Sequence, residues 1–271
     1  MLERLSLNQA TTERLSVAQA VAACARAGLR YIGLWRHKVA EQGLAESARL
    51  VREAGLQVSS LCRGGMFPAA SREEREARLA DNRRAVDEAV ALGTDVLVLV
   101  CGGLGGCNLS AARAMVEDAI DRLVPYAAAR GVKLGIEPLH PMYAADRSVI
   151  NTLAQALDIA ERYPPDQVGV VIDAFHVWWD PDLYRQIERA RGRILGLHVC
   201  DWLCPLPDVL LGRGMMGDGV VDLHRLRQAV DAAGYTGPIE VEIFNQEIWD
   251  QDPDQVLMTI KERFLRCVAE G

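Results

Sequence analysis

Four apolar runs in the second half of the chain stop on residue types that bind metals or move protons. Val168 to Ile172 ends on Asp173, with His176 three positions on; Gly135-Ile136 ends on Glu137; Leu195-Gly196-Leu197 ends on His198; and Ile239-Glu240-Val241 ends on Glu242. One such run carries little information, but four in one chain call for a common cause. Three carboxylates gathered in a partly dry pocket repel and shift one another's pKa, and a divalent cation relieves this. Three oxygen donors with one imidazole suit Mn²⁺, Mg²⁺ or Co²⁺, with positions left for substrate. Zn²⁺ is a further candidate, although four protein ligands close its tetrahedral site. Singly, each carboxylate reads as well as a helix cap or an ion-pair partner; as a set, Glu137, Asp173, His198 and Glu242 read as one metal site.

To meet, these residues must hang from neighbouring strands. Strands are expected at Leu5–Leu7, Tyr31–Leu34, Val58–Leu61, Val96–Val100, Leu134–Ile136, Val168–Ile172, Ile194–Leu197 and Ile239–Val241. Helical periodicity lies between them, opened by Ser16, by a Ser71/Glu74 capping box, by Ser110, by Asp180-Pro181, by Asp222 and by Asp252-Pro253. A helix is also expected from about 44 to 54, and Gly28, Gly55, Gly93, Gly131, Gly192 and Gly234 punctuate helix ends. Strict alternation implies a parallel sheet, and eight units imply closure into a single (β/α)₈ barrel spanning residues 1–271. The rival, an open dinucleotide-binding sheet, wants glycines after its first strand; Asn8-Gln9-Ala10-Thr11-Thr12 has none.

In such a barrel, ligands sit at the C-terminal ends of the strands. Four of the five histidines follow such ends: His37, His140, His176 and His198. So do Trp35, Trp178, Trp179 and Trp202, placed to stack on a flat ligand face or to roof the barrel. The run Gly102-Gly103-Leu104-Gly105-Gly106 reads either as a phosphate cradle or, more commonly, as a tight turn.

The chain has 271 residues, half apolar and a quarter charged, with a formal charge of −7. That charge argues against nucleic acid or an anionic membrane as the main partner. Seven scattered cysteines, no basic-then-apolar leader and no long apolar run point to reduced thiols in a cytoplasmic protein. Homo-oligomerisation is left open.

Glu137-Pro138, Asp173-Ala174-Phe175-His176, His198-Val199-Cys200-Asp201, Gly217-Asp218-Gly219 and Glu242-Ile243-Phe244-Asn245 resemble the xylose isomerase-like barrel superfamily. That group includes D-tagatose 3-epimerase and inosose isomerase. The resemblance implies one divalent metal, Mn²⁺ first, on Glu137, Asp173, His198 and Glu242, with both glutamates as the acid/base pair. It also implies substrate contacts from His176 and Arg213. His140, Trp35 and His37 are added here as substrate contacts from their places after strand ends. The epimerases' further acid, six residues after the strand-five glutamate, is Tyr143 in this chain. The superfamily's endonucleases need an Asp-x-His where this chain has Leu211 and Arg213. The expected function is therefore an isomerase or epimerase of a sugar or polyol ketone. A lyase acting on a keto-sugar or keto-glycoside is the alternative, and a non-catalytic sugar-binding barrel the third reading.

Overall fold

The computed structural model describes residues 1–270. Eight parallel strands close into a barrel: β1 (Leu5–Asn8), β2 (Tyr31–Trp35), β3 (Gln57–Gly65), β4 (Val96–Val100), β5 (Lys133–Glu137), β6 (Val168–Asp173), β7 (Ile194–Val199) and β8 (Ile239–Val241). Each strand pairs with its sequence neighbour, and β8 pairs with β1 to close the ring. Around them run α1 (Val17–Ala27), α2 (Arg36–Gln42), α3 (Leu44–Glu53), α4 (Arg72–Leu92), α5 (Leu109–Ala128), α6 (Leu153–Ala160), α7 (Ala174–Val177), α8 (Leu183–Arg189), α9 (Leu223–Ala232), α10 (Gln246–Trp249) and α11 (Pro253–Phe264). None of these helices is long and apolar enough to cross a membrane.

Local chemistry sets the boundaries. Full capping boxes open α1 (Ser16/Gln19), α4 (Ser71/Glu74) and α6 (Thr152/Gln155), each pairing two orphan N–H groups. Gly28 and Gly93 end α1 and α4 in the left-handed region, at φ 70° and 75°, which L side chains rarely adopt.

Two expected helix starts shift and one helix is added. The helix expected from about 44 to 54 is α3, and an unexpected helix, α2, precedes it across Gly43, at φ 92°. Asn108, not Ser110, caps α5. Asp180-Pro181 does not open α8, because Asp180 Oδ1 accepts from Asp182 N–H in a turn and the helix begins after Asp182.

Strand alternation sorts the side chains into two layers. Leu97 and Leu99 of β4 point out to the large cluster shared with the helices, whereas Val98 points in and meets Cys62 and Val171. The inner layer is otherwise small or polar. Gly33, Gly135 and Gly196 have no Cβ; at Gly33 one would lie 2.2 Å from Glu240 Oε2, and at Gly135 one would lie 2.8 Å from Val171 Cγ2. The barrel interior thus has room for a buried carboxylate beneath the mouth.

Candidate metal centre and active-site cavity

Strand register brings the four ligand-type residues together. Asp173 on β6 pairs across the sheet with His198 on β7, and His198 pairs in turn with Glu240 on β8. Glu137 ends β5, and Glu242 follows β8 by one residue. All four are buried, and one ligand atom from each lies within 4.8 Å of the others. Nδ1 of His198 is 3.5 Å from Glu137 Oε1 and 3.6 Å from Glu242 Oε2. These separations are too long for hydrogen bonds. They suit two atoms bound to one ion, which at about 2.1 Å from it stand roughly 3–4 Å apart. Glu137 Oε1 and both ring nitrogens of His198 are buried without a hydrogen-bond partner. Buried polar atoms are normally paired, so the donor set fits a divalent cation.

The charges are strongly coupled. Burial, with repulsion from Glu242 and Asp173, outweighs the help of His198 and raises the Glu137 carboxyl to about 7. Glu242 is buried too, but the Arg213 charge and His198 overcome the burial and hold it down at about 2. For His198, burial opposes the charged form, yet the carboxylates of Glu240, Glu137 and Glu242 push it well above its ordinary value. Two carboxylates whose environments drive their pKa values apart form a ready acid/base pair.

Arg213 is the hub of the site. Its Nη1 donates to Asp173 Oδ2 at 2.8 Å and to Glu242 Oε2 at 3.0 Å, and Nη2 lies 3.2 Å from His176 Nε2. The guanidinium is clasped between the rings of Phe175 and Phe244, 4.7 and 4.9 Å from their centroids. The His176 ring also faces the His140 N–H, 3.3 Å from Nδ1. A neutral imidazole can accept only one of these two bonds and an imidazolium neither. Burial above all, with Arg213 against it, holds His176 at about 3, so the ring is neutral.

At these residues opens a cavity of about 270 Å³, lined by Glu137, Glu242, His176, Arg213, Trp35 and Tyr143 among others.

A model of the family described as xylose isomerase-like TIM barrel matches residues 21–263. The chain belongs to the xylose isomerase-like TIM barrel family. Its curated relatives are enzymes, among them inosose isomerases, an L-ribulose 3-epimerase and 3-dehydroshikimate dehydratases. A 3-dehydroshikimate dehydratase of Pseudomonas aeruginosa is 31% identical over 208 residues, 73% of this chain but 31% of that protein. An inosose isomerase of Halalkalibacterium halodurans is 27% identical over 148 residues, covering 52% of this chain and 49% of that one. The chain therefore spans half or less of the length of these two relatives. A crystal structure of a protein from Sinorhizobium meliloti 1021 is 52% identical and superposes with a TM-score of 0.96 over 99% of both chains.

Within this xylose isomerase-like barrel, the other expected contacts divide. Trp35, His176 and Arg213 line the cavity, whereas His140 and His37 do not. His140 is tucked between Trp179 and Trp202, and its Nδ1 accepts from Met142 N–H. It backs His176 through its amide. His37 is exposed on α2, with Nε2 3.2 Å from Glu13, beside a shallower recess behind Trp35. It departs because the strand ends at Trp35 and helix α2 starts at once, carrying His37 outward. Trp178 and Trp202 pack on each other and Trp202 on Phe175, the roofing arrangement rather than the stacking one.

The glycine-rich loop takes the tight-turn form. Its amides at Gly102 and Leu104 are spent on the carbonyls of Arg147 and Ala145 in the loop after β5. A Cβ at Gly105 would lie 2.2 Å from Pro68 O, so the glycines serve close loop packing. Tyr143, at the epimerases' acid position, donates its hydroxyl to Val209 O and meets His176 edge-on, tying the loops after β5 and β7 together.

Glu240 is the residue that periodicity alone does not single out. It is buried inside the barrel and accepts from Asn8 Nδ2 at 2.7 Å, Ser59 Oγ at 2.8 Å and Ser60 Oγ at 2.7 Å. Its Oε2 is 3.6 Å from His198 Nε2, the ring nitrogen turned away from the other acids. Asn8 in turn accepts from Trp35 Nε1 on the cavity wall. The available signal was a charged residue at the centre of a strand whose inner face must be buried.

Proposed function

We propose that the chain is a divalent-metal-dependent isomerase or epimerase of a ketose or related polyol ketone, moving a proton beside the carbonyl through an enediolate. One observation supports it most: Glu137 and Glu242, at the ends of the strands flanking β6 and β7, share one cavity with pKa values pushed apart. Glu137, Asp173, His198 and Glu242 would hold the ion, Mn²⁺ by preference for three oxygens and one imidazole. When bound, the ion supplies Lewis acidity that polarises a carbonyl and stabilises developing negative charge. One glutamate takes the proton from the carbon beside the carbonyl, and the other returns a proton from across the cavity. Arg213 keeps Glu242 ionised and holds Asp173 and Glu242 in place, and neutral His176 binds a substrate hydroxyl. Tyr143, Leu139 and Phe244 exclude water from the reacting carbon. The test is ¹H NMR in D₂O with the Mn²⁺-loaded protein and a panel of ketoses and inososes. Deuterium is expected at the carbon beside the carbonyl, with formation of an isomer or epimer. Absence of both across the panel would overturn the reading.

Elimination is the second reading, supported by the dehydratase relatives. It needs an acid for the leaving group, and burial lowers the pKa of both His176 and His140, so neither ring is an imidazolium at neutral pH. The His176→Ala protein discriminates. An isomerase is expected to lose affinity, with no elimination product from any variant. Retained α-proton exchange with loss of an elimination product that the unsubstituted protein forms would establish the lyase.

Metal binding is expected to depend steeply on pH. An ion displaces the proton of His198, so affinity rises about tenfold per pH unit. Below about 7 Glu137 is protonated as well, and its proton adds a second tenfold per unit. Affinity therefore falls as pH drops, most steeply below 7. Titration calorimetry in buffers of different ionisation enthalpy checks this; a flat profile between pH 6 and 8 would contradict it.

A further inference from the structure

Two cationic side chains in the cavity wall form no ion pair. Arg63, from the end of β3, and Arg147, from the loop after β5, both line the cavity. Neither forms an ion pair or donates a side-chain hydrogen bond among the described residues; Arg147 has only the Tyr143 ring, 5.5 Å from its guanidinium. Other arginines of this region are fully engaged. Arg36 is held by Asp81 and Glu88 together, Arg78 by the carbonyls of Met66 and Pro68, and Arg213 by Asp173 and Glu242. Burial and the nearby Arg147 charge both hold the Arg63 guanidinium below its ordinary value, so the two repel each other across the wall. The loop that carries Arg147 is pinned: Gly102 N–H donates to its carbonyl, and Gly102 bridges to Ser148.

The charge balance gives this pair a purpose. Counting only the four clustered residues and the cavity lining, with Glu240 beneath and outside them, a divalent ion and Arg213 together cancel Glu137, Asp173 and Glu242. Beyond that neutral set the cavity wall holds Arg63 and Arg147 against one exposed carboxylate, Asp146, which pairs with neither. Half-buried guanidiniums without partners are costly, and their planar donors match a carboxylate or phosphate.

We propose that Arg63 and Arg147 form an anion subsite, so that the substrate is a polyol ketone bearing a carboxylate or a phosphate away from the reacting carbon. This rests on the proton-transfer reading for the ketone, but binding tests it separately. Calorimetry on the Mn²⁺-loaded protein compares two matched pairs: L-ribulose 5-phosphate with L-ribulose, and 3-dehydroshikimate with its methyl ester. At least one anion is expected to bind tenfold or more tightly than its neutral match, and the pair showing the preference identifies phosphate or carboxylate. Charge-assisted hydrogen bonds are worth roughly a factor of ten or more. Arg63→Gln and Arg147→Gln are each expected to cut that preference about tenfold, while Arg63→Lys, which keeps the charge, retains most of it. Thermal melts show whether each variant is folded. The proposal fails if neither anion is preferred, or if the preference persists in both glutamine variants. Exchange in D₂O is scored independently. Anion preference without exchange keeps the subsite and removes the proton-transfer reading; exchange without preference does the reverse.

Discussion

Glu137→Gln and Glu242→Gln are each expected to lower turnover by about 10²–10⁴, the usual contribution of a positioned acid or base. Glutamine keeps an oxygen at each position but can neither take nor return a proton. Because both glutamates are also expected ligands, lost activity alone would not separate the two roles. The separation lies in exchange. If each serves one face of the carbon, a variant still exchanges the proton removed by the remaining glutamate, yet no longer interconverts the two epimers. Glu137→Gln should therefore wash deuterium into one epimer only, and Glu242→Gln into the other. Metal content is measured on the same samples. Turnover above about a tenth of the unsubstituted level, with metal bound, would remove the residue from the proton path. Equal loss of exchange and of metal would leave both as ligands only.

The second large effect is expected at Glu240, which touches no part of the cavity. A metal-ligating histidine commonly has its other ring nitrogen held by a carboxylate, and loss of that partner costs about 10–100-fold in metal affinity. Glu240 stands 3.6 Å from Nε2 of His198, an ion-pair rather than a hydrogen-bond distance, and is itself fixed by Asn8, Ser59 and Ser60. Glu240→Gln is expected to weaken Mn²⁺ binding by that factor. Glu240→Ala should do so and also destabilise the fold by on the order of 3 kcal/mol, since buried donors left unpaired cost about 1–3 kcal/mol each and only some can re-pair. Gly33→Ala is a probe from the opposite side: its Cβ would lie 2.2 Å from Glu240 Oε2, so the carboxylate must move. Metal titration with chemical denaturation reads both effects. Metal affinity within twofold of the unsubstituted protein in Glu240→Gln would show that Glu240 is only a packed, hydrogen-bonded core acid.

Much of the barrel and of its four clustered strand-end residues was legible in the chain because both rest on local, periodic signals. Parallel strands covered on both faces read as apolar runs, and a polar residue at the end of such a run points into the mouth. Asp173 and His198 could be paired from that rule, and their direct register partnership agrees with it. His37 went the other way for an equally local reason: one residue after the strand, helix α2 turns it to the surface.

What the sequence determined by itself was the order of strands and helices, the closed parallel barrel and the four residues at the ends of β5 to β8. These follow from hydrophobic period, caps and strand-end position, which need no knowledge of what lies across the molecule. Tertiary structure decided the rest. Glu240 becomes a buried neighbour of His198 only when β8 closes against β7 and β1 and Gly33 leaves it room. Arg213, read as a contact for substrate, proves to be tied to Asp173, Glu242 and His176, because a loop of distant sequence folds back over the mouth. Arg63 and Arg147 look like surface arginines along the chain. Only the packing of the loops after β3, β4 and β5 sets them in one cavity wall without an ion-pair partner, since charge compensation depends on neighbours that no stretch of sequence contains.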